Sequence, residues 1–204
     1  MIVTKLEPVT KTKFKVYLDE EFAFVLYKGE VLKYHMKEEE EVSDELFHKV
    51  KTEIVQKRAK LRAMHLLNDM DRTEAALREK LRQNYYTDDI IDGAIEYVKS
   101  FGYIDDYRYA VNFVESRKMN KSKKEVTLAL KQKGVPRELA SLALEECYGK
   151  ESEQEAISQL LRKKNFHIET ASEKEIQKIY GYLARKGFRY DDIRQVVHYS
   201  IENT

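Results

Sequence analysis

The residues that could carry catalytic or metal chemistry are few and scattered along the chain. The five histidines include no pair four residues apart and have no cysteine partners, so no zinc site is expected: His35, His48, His65, His167 and His198. There is no glycine-rich loop ending in Lys-Ser or Lys-Thr to cradle a phosphate, and no dinucleotide fingerprint. These patterns predict a protein that is not an enzyme and uses no cofactor.

One pair of adjacent carboxylates, Asp105 and Asp106, stands at the start of a predicted helix. Aspartate at this position caps free backbone N–H groups and complements the helix dipole, so we interpret the pair as a cap. Metal binding or acid–base chemistry is the alternative interpretation.

The single cysteine, Cys147, lies in an apolar helical pattern and is interpreted as a small core residue, with a reactive thiol as the alternative. One cysteine excludes an intramolecular disulfide and is typical of a reducing cytosol. No apolar run approaches the length of a membrane helix, and residues 1–10 lack the apolar core of a signal peptide. A cytoplasmic protein is therefore expected.

Charge is sorted into bands after residue 50. Counting Lys and Arg against Asp and Glu gives net charges of +4, +6 and +5 for three basic stretches, 51–82, 117–133 and 162–189. The stretches that follow each of them carry −5, −4 and −2, namely 83–116, 134–161 and 190–204. This alternation predicts a unit that recurs three times, whose basic segments line up if the units stack in register. A positive stripe of this kind would bind a polyanion or an acidic partner; a solvated surface is the alternative.

The composition favours long helices around a real core. Of the 204 residues, 42% are hydrophobic and 36% are charged, with only seven glycines and two prolines. Fourteen tyrosines accompany the absence of tryptophan. Tyrosines such as Tyr85, Tyr103 and Tyr180 either fill core edges or stack on bases and partner pockets, and the sequence does not decide between these roles.

The first fifty residues differ from the rest. Lys13–Leu18 alternates polar and apolar residues and 22–27 is aromatic and β-prone, which predicts a hairpin, with 2–6 as a third strand and a short helix at 28–36. Because a lone hairpin is marginal in water, we expect this sheet to dock on the first helices.

From Ser43 onward the apolar residues follow a helical period. A long helix is expected from Ser43 to about residue 68, with Leu46, Val50, Ile54 and Leu61 on one side. Eight more helices are predicted to complete three groups of three: 73–83, 87–100, 105–118, 122–133, 136–148, 151–164, 172–186 and 190–203.

The middle helices show the repeat most clearly. Residues 72–77 match 121–126 at an offset of 49, and 130–135 match 183–188 at an offset of 53. Ser122 with Glu125, and Ser172 with Glu175, have the spacing of capping boxes. Gly134 and Gly187 stand where a helix ends in a left-handed residue, and Pro136 can open the next helix. The first unit has Tyr85 at this place, so we expect its turn to differ.

The segment 101–110, FGYIDDYRYA, resembles the signature of the RecX family, bacterial regulators of the RecA recombinase. The residues that match the signature are Gly102, Tyr103, Ile104, Asp105, Asp106, Arg108, Tyr109 and Ala110. The order of the other motifs also fits, since 72–81, 121–135 and 183–193 are similar to the family's three repeats. The first fifty residues resemble the extension of the longer, Gram-positive members. The chain departs from the family with Ala76 in place of Glu and 84–85 in place of Lys-Gly.

The resemblance implies a mainly α fold of three tandem three-helix repeats in an elongated array, with a small N-terminal antiparallel β element. The expected divisions are 1–50 for the β extension and 51–101, 102–149 and 150–204 for the repeats. It also implies a monomeric protein that binds RecA and its filament on single-stranded DNA. Such a protein would lie in the filament groove and inhibit ATP hydrolysis, strand exchange and co-protease activity, and so regulate recombination and the SOS response.

The expected contacts with the filament, and with single- or double-stranded DNA without sequence preference, are the basic side chains of the repeats. These candidates are Arg72, Arg78, Lys80, Arg82, Arg117, Lys118, Lys121, Lys123, Lys124, Lys131, Lys133, Arg162, Lys163, Lys164, Arg185, Lys186 and Arg189.

Two other functions remain open on the residues alone. Three short helices with a tight turn can form a helix-turn-helix that reads a DNA sequence. Against it, no third helix is basic, and Asp88-Asp89 and Asp191-Asp192 would point carboxylates toward phosphate. The chain could also be a helical scaffold that binds only proteins, with little salt-sensitive affinity for nucleic acid.

Overall fold

The computed structural model describes residues 1–149 and 152–202 of the chain. The chain separates into two compact units, Met1–Ile104 and Asp105–Thr204, and each is described on its own. The helix ends predicted at residues 151 and 203 lie outside the described residues. The division at residues 50, 101 and 149 stays a prediction.

The first unit begins with a three-stranded antiparallel sheet in the order β1-β2-β3, as the alternating pattern predicts. The strands are β1 (Val3–Thr10), β2 (Lys13–Leu18) and β3 (Glu21–Tyr27). Asp19 and Glu20 make the turn between β2 and β3 with positive φ angles of 47° and 70°. Strand β1 is longer than the predicted 2–6, because it pairs with β2 along most of its length.

The sheet docks on helices, as expected for strands too few to stand alone. The short helix α1 (Lys28–Lys33) follows the sheet. Buried residues of the strands and of the later helices of this unit form one hydrophobic core. Val16 and Leu26 from the sheet share this core with Ile91 and Ile95. Arg58 fastens the sheet further, since its guanidinium donates to the carbonyl of Val25 at 3.0 Å.

The long helix predicted from Ser43 is helical throughout but changes type within its length. Helix α2 (Asp44–Lys49) passes through a π-helical segment, Val50–Gln56, into α3 (Lys57–Asp69). Ser43 caps α2 as predicted, since its hydroxyl accepts from the Leu46 N–H at 3.2 Å.

The π-helical segment makes one sequence prediction wrong. Hydrogen bonds from residue i to i+5 widen the turn and shift which residues face inward. The buried residues are therefore Val50 and Val55, five apart, followed by Ala59 and others at helical spacing. Leu61, predicted for the inner side, is 57% exposed.

The first unit ends with two shorter helices, α4 (Glu74–Arg82) and α5 (Asp88–Ser100). Thr73 caps α4, because its hydroxyl accepts from the Ala76 N–H at 3.1 Å. Close contact of the long helix with α5 occurs at Gly93, where an added Cβ would lie 2.8 Å from Gln56 Nε2.

The second unit contains two three-helix groups, each around its own hydrophobic core. The first group consists of α6 (Asp106–Glu115), α7 (Lys123–Gln132) and α8 (Arg137–Cys147). The second consists of α9 (Ser152–Lys163), a 3₁₀ turn (Ile168–Thr170), α10 (Glu173–Arg185) and α11 (Tyr190–Glu202). Counting α2 through α3 as one helix, the described residues after 43 form the nine predicted helices.

The turn after the middle helix is the same in all three groups. Tyr85, Gly134 and Gly187 have φ angles of 63°, 76° and 90°. In each case the N–H of the next residue donates a hydrogen bond to the carbonyl five positions earlier. The pairs are Tyr86 with Leu81, Val135 with Leu130 and Phe188 with Leu183. This is the Schellman arrangement.

The expectation that the Tyr85 turn would differ is therefore wrong. The surrounding hydrogen bonds hold Tyr85 in a left-handed conformation that costs a side chain about 1–2 kcal/mol relative to glycine.

Candidate nucleic-acid interface

The predicted contact residues of the first unit are held by neighbours within that unit. Arg78 bridges two carboxylates, with Nε 2.7 Å from Glu74 Oε1 and Nη1 2.6 Å from Asp92 Oδ1. The other three also have partners: Arg72 Nε donates to the Leu66 carbonyl at 3.0 Å, Lys80 Nζ to Gln83 Oε1 at 3.2 Å and Arg82 Nε to Asp88 Oδ1 at 3.0 Å. Arg72 and Arg78 are partly buried by these contacts, whereas Lys80 and Arg82 are exposed, so their role as contact residues stays a prediction.

In the second unit, the start of α7 meets the end of α10. Ser122 caps α7 by accepting from the Glu125 N–H at 3.1 Å, and its hydroxyl donates to the Lys186 carbonyl at 2.6 Å. A Cβ at Gly187 would lie 3.0 Å from Ser122 Oγ. The cap at Ser122 is thus present, and the same hydroxyl joins two repeats. The predicted capping box with Glu125 is only half formed, because the Glu125 carboxylate faces lysines instead of the Ser122 N–H.

This contact brings the basic runs of two repeats together. Glu125 Oε1 lies 3.7 Å from both Lys121 Nζ and Lys186 Nζ. Two ammonium groups lie over the Tyr182 ring, that of Lys164 at 4.3 Å and that of Lys186 at 5.6 Å from the ring centroid.

Two more lysines extend the cluster. Lys163 donates to the side-chain oxygen of Asn120, and the Lys124 side chain lies against Gly187. We call this cluster the basic junction: Lys121, Lys124, Lys163, Lys164 and Lys186. Glu125 is the carboxylate in its midst, and Glu125 Oε2 is buried without a hydrogen-bond partner.

Lys123 lies at the edge of the basic junction with its side chain exposed. Its backbone N–H donates to Glu153 Oε1 at 2.9 Å. Burial raises the pKa of the Glu153 carboxyl, although the Lys123 N–H opposes this shift. The first turn of α7 therefore presents two neighbouring ammonium groups, those of Lys123 and Lys124, to solvent.

The remaining candidates of the second unit make their contacts elsewhere. Arg117 stacks on the Phe113 ring at 3.9 Å, and Lys133 lies 5.5 Å from the same ring. Lys118 Nζ is 2.7 Å from Glu115 Oε1, and Arg189 is 4.0 Å from Asp191. Three others are exposed on helix surfaces: Lys131, Arg162 and Arg185.

The signature residues form a turn, a cap and a core contact. Gly102 has a φ of 68°, and the N–H of the next residue, Tyr103, donates to the Val98 carbonyl at 3.0 Å. Ile104 and Ala110 are buried, at 7% and 0% exposure.

Asp105 is the N-cap of α6, as the sequence predicts. Its Oδ1 accepts from the Arg108 N–H at 2.9 Å, and Asp106 is the first helical residue. The Tyr109 ring packs on Phe113 with centroids 6.2 Å apart. The acidic pair therefore has a structural explanation.

The described residues contain no group of three or more His, Cys, Asp or Glu side chains arranged to hold a metal ion. In the same part of the chain, no helix has the length and apolarity to cross a membrane. Cys147 is buried, as its interpretation as a core residue requires, and burial raises the pKa of its thiol to about 11.

The starts of the third helices do not favour reading of duplex DNA. Asp88 and Asp89 begin α5, with Asp89 paired to Lys51 at 2.6 Å, and Asp191 and Asp192 lie in the first turn of α11. Carboxylates at these positions would repel the phosphates beside a DNA groove.

The sequence did not identify Asn120 and Tyr182 as contacts of the basic junction. Neither carries a charge, and Tyr182 lies about 60 positions from the α7 lysines, so only the folded contact brings them together.

The chain is a repeat protein of three-helix units with a small sheet, a capped signature segment and a cationic cluster, and comparisons with known proteins agree. RecX family models match the first three-helix domain at residues 59–97, the second at 105–144 and the third at 151–197. The chain belongs to the RecX family.

Similar proteins span the whole chain. Regulatory protein RecX of Caldanaerobacter subterraneus subsp. tengcongensis is 30% identical over 201 residues, which are 97% of this chain and 99% of the relative. The protein of that name from Clostridioides difficile is 28% identical over 202 residues, 97% of this chain and 94% of the relative.

Two solved structures share the fold. A crystal structure of regulatory protein RecX aligns with a TM-score of 0.62 at 20% identity, over 96% of this chain and 98% of that one. RecX from Lactobacillus salivarius aligns with a TM-score of 0.61 at 24% identity, over 74% and 98%. The relatives described above are named as regulatory proteins, so the chain belongs to a family of regulatory proteins.

Proposed function

We propose that the chain binds the RecA recombinase and its filament on single-stranded DNA, and that binding inhibits ATP hydrolysis, strand exchange and co-protease activity. Family membership supports RecA as the partner. The observation that carries the mode of binding is the basic junction, where cations from two repeats converge on one surface of the second unit.

The basic junction suits a polyanion because its ammonium groups outnumber the carboxylate among them. Lys121 and Lys186 share Glu125 at 3.7 Å, which is a weak ion pair in a partly exposed setting. A phosphate can therefore recruit either ammonium group at little cost. Such contacts position a protein on nucleic acid without reading its sequence.

Inhibition follows from linkage. A protein that binds one state of the filament more tightly than another shifts the filament toward that state. We propose that the basic junction meets filament DNA phosphate or acidic recombinase surface, while the acidic stretches 83–116 and 134–161 face basic subunits. The chain acts in this role as a monomer in the cytoplasm, lies in the filament groove and needs no cofactor.

The DNA contact can be tested by its salt dependence. Lys123 and Lys124 occupy the first turn of α7, where glutamate is favourable to the helix dipole, so their reversal should leave the fold intact. In Lys123→Glu/Lys124→Glu, we expect the slope of log affinity against log salt for single-stranded DNA to fall by about 1.4, or 0.7 for each lost phosphate contact.

A matched control lies in the next repeat. Lys174 follows the cap Ser172 as Lys124 follows Ser122, and it is about 18 Å along α10 from Lys186. Lys174→Glu/Lys178→Glu carries the same change of charge and should keep the parent slope. Equal slopes for both double variants would show that the basic junction does not bind DNA. A parent without salt-sensitive affinity would instead favour a protein-only scaffold.

A further inference from the structure

A groove of about 760 Å³ in the first unit lies between the sheet and the turn that follows α4. One wall is formed by the start of β2 and the end of β3, at Lys13 and Tyr27. Helix α3 contributes Leu61 and Arg62, and the opposite rim is the turn at Tyr85. All of these residues belong to the same compact unit.

The groove is cationic. Three of its lining side chains are Lys13, Arg58 and Arg62, and among the residues that line it, all within the described range 1–104, none is Asp or Glu. Arg58 is held at the back by the Val25 carbonyl and by Glu30. Lys13 and Arg62 are therefore the cations placed to meet a ligand.

Exposed flat and apolar side chains accompany these cations. Tyr27, Leu61 and Tyr85 are 40%, 57% and 43% exposed. Leu61 faces the groove because the π-helical segment before it shifts the inward face of the helix. Apolar side chains exposed together inside one groove mark a surface built for contact.

Tyr85 is the most informative of them. It occupies a left-handed backbone position, φ 63°, that glycine fills in the other two repeats at Gly134 and Gly187. A non-glycine residue in this conformation is held there by the structure around it, and such residues often occur at ligand-binding sites. Here the strain places an aromatic ring on the rim of a cationic groove.

Cations lie over both rings in the free protein, and the Arg58 guanidinium is 4.6 Å from the Tyr27 centroid. Lys13 Nζ is 5.3 Å from the Tyr27 centroid and Lys15 Nζ is 4.9 Å from that of Tyr85. A nucleobase stacks on an aromatic ring more strongly than an exposed ammonium group does. An incoming base can therefore displace Lys13 from the Tyr27 ring, and Lys13 then becomes available to a phosphate. Lys15 is paired with Glu7 at 3.2 Å and keeps that partner when a base covers the Tyr85 ring.

We propose that this groove binds an extended single strand of nucleic acid, with bases on Tyr85 and Tyr27 and phosphates at Lys13 and Arg62. A duplex keeps its bases stacked inside and cannot offer them to the rings, and an acidic peptide has charges without flat faces. The inference rests on the proposed nucleic-acid function and adds a second site, one that senses bases, in the unit that lacks the basic junction.

The test compares two oligonucleotides with equal phosphate number, a fluorescein-labelled twelve-nucleotide dT strand and its abasic analogue, bound to the full chain without recombinase. We expect the parent to bind the dT strand about fivefold or more tightly than the abasic one. Tyr85→Gly and Tyr85→Asn both suit the left-handed turn and lack the ring, so they should lower this ratio to what Tyr27 alone supplies, and Tyr85→Phe should preserve it.

Charge reversal supplies a second arm. In Lys13→Glu/Arg62→Glu, the slope of log affinity against log salt for the dT strand should fall by about 1.4. The matched control Lys49→Glu/Lys57→Glu alters two exposed lysines of α2 and α3 outside the groove and should leave the slope unchanged.

Three results would overturn the groove assignment: equal parent affinity for both strands, a base preference that Tyr85→Gly does not reduce, or competition by polyglutamate of equal charge as strong as by dT. None of these depends on RecA. Loss of ATPase inhibition alone would contradict the proposed function and leave the groove assignment standing.

Discussion

Gly187 tests the contact between repeats on which the basic junction depends. Its φ of 90° disfavours any side chain, and a Cβ there would lie 3.0 Å from Ser122 Oγ and 3.1 Å from Lys124 Cβ. Alanine in the left-handed region costs about 1–2 kcal/mol, and crowding in a packed contact adds about 1–3 kcal/mol. We therefore expect Gly187→Ala to lower the free energy of unfolding of the second unit by about 2–5 kcal/mol.

Two other glycines separate the contributions. Gly102 has a φ of 68°, and a Cβ added there would meet nothing within 4 Å, so Gly102→Ala should show the backbone cost alone, about 1–2 kcal/mol. Gly181 lies inside α10, where a Cβ meets Arg185 Nη1 at an ordinary 3.5 Å. Gly181→Ala should stabilise the second unit by about 0.5–1 kcal/mol, since alanine is the better helix former.

Urea denaturation followed by circular dichroism measures these differences, and hydrogen exchange of individual helices assigns each loss to its unit. The reasoning is refuted if Gly187→Ala costs no more than Gly102→Ala. In that case α10 does not approach the start of α7 closely, and the lysines of the two repeats do not form one surface.

Two further changes probe local features. Asp105→Ala should lower the free energy of unfolding by about 0.5–2 kcal/mol, because the side-chain oxygen caps α6, and Asp105→Asn should lower it much less. Equal losses of stability for Asp105→Ala and Asp106→Ala in urea denaturation would contradict the cap. Burial raises the pKa of the Cys147 thiol from 9.0 to about 11, so its contribution to stability is complete below pH 9 and is lost as pH rises toward 11. Thermal unfolding should show this loss in the parent and not in Cys147→Ala, and rapid alkylation of the folded protein near neutral pH would argue against burial.

Features set by a few neighbouring residues could be predicted from the sequence. The hairpin, the caps at Ser43, Ser122 and Asp105, and the helix ends at Gly134 and Gly187 all depend on side chains within about five positions. Their hydrogen bonds are local, so the residue type and its spacing are sufficient.

Features set by packing could not be predicted. The π-helical turn before α3 moves Leu61 outward, although its spacing from Val50 fits an ordinary helix. Tyr85 accepts a left-handed conformation because the flanking helices fix the turn against its preference. The basic junction depends on Ser122 and Lys186, which are 64 positions apart, and periodicity carries no information about that contact.

The most direct test is the rate of ATP hydrolysis by RecA on single-stranded DNA, measured as the full chain is added in substoichiometric amounts. We expect the parent and Lys174→Glu/Lys178→Glu to slow hydrolysis alike, and Lys123→Glu/Lys124→Glu to require much higher concentrations for the same effect, because the basic junction and its edge have lost two cations. An unchanged rate with the parent would contradict the proposed inhibition, and equal potency of the two double variants would contradict the role of the basic junction.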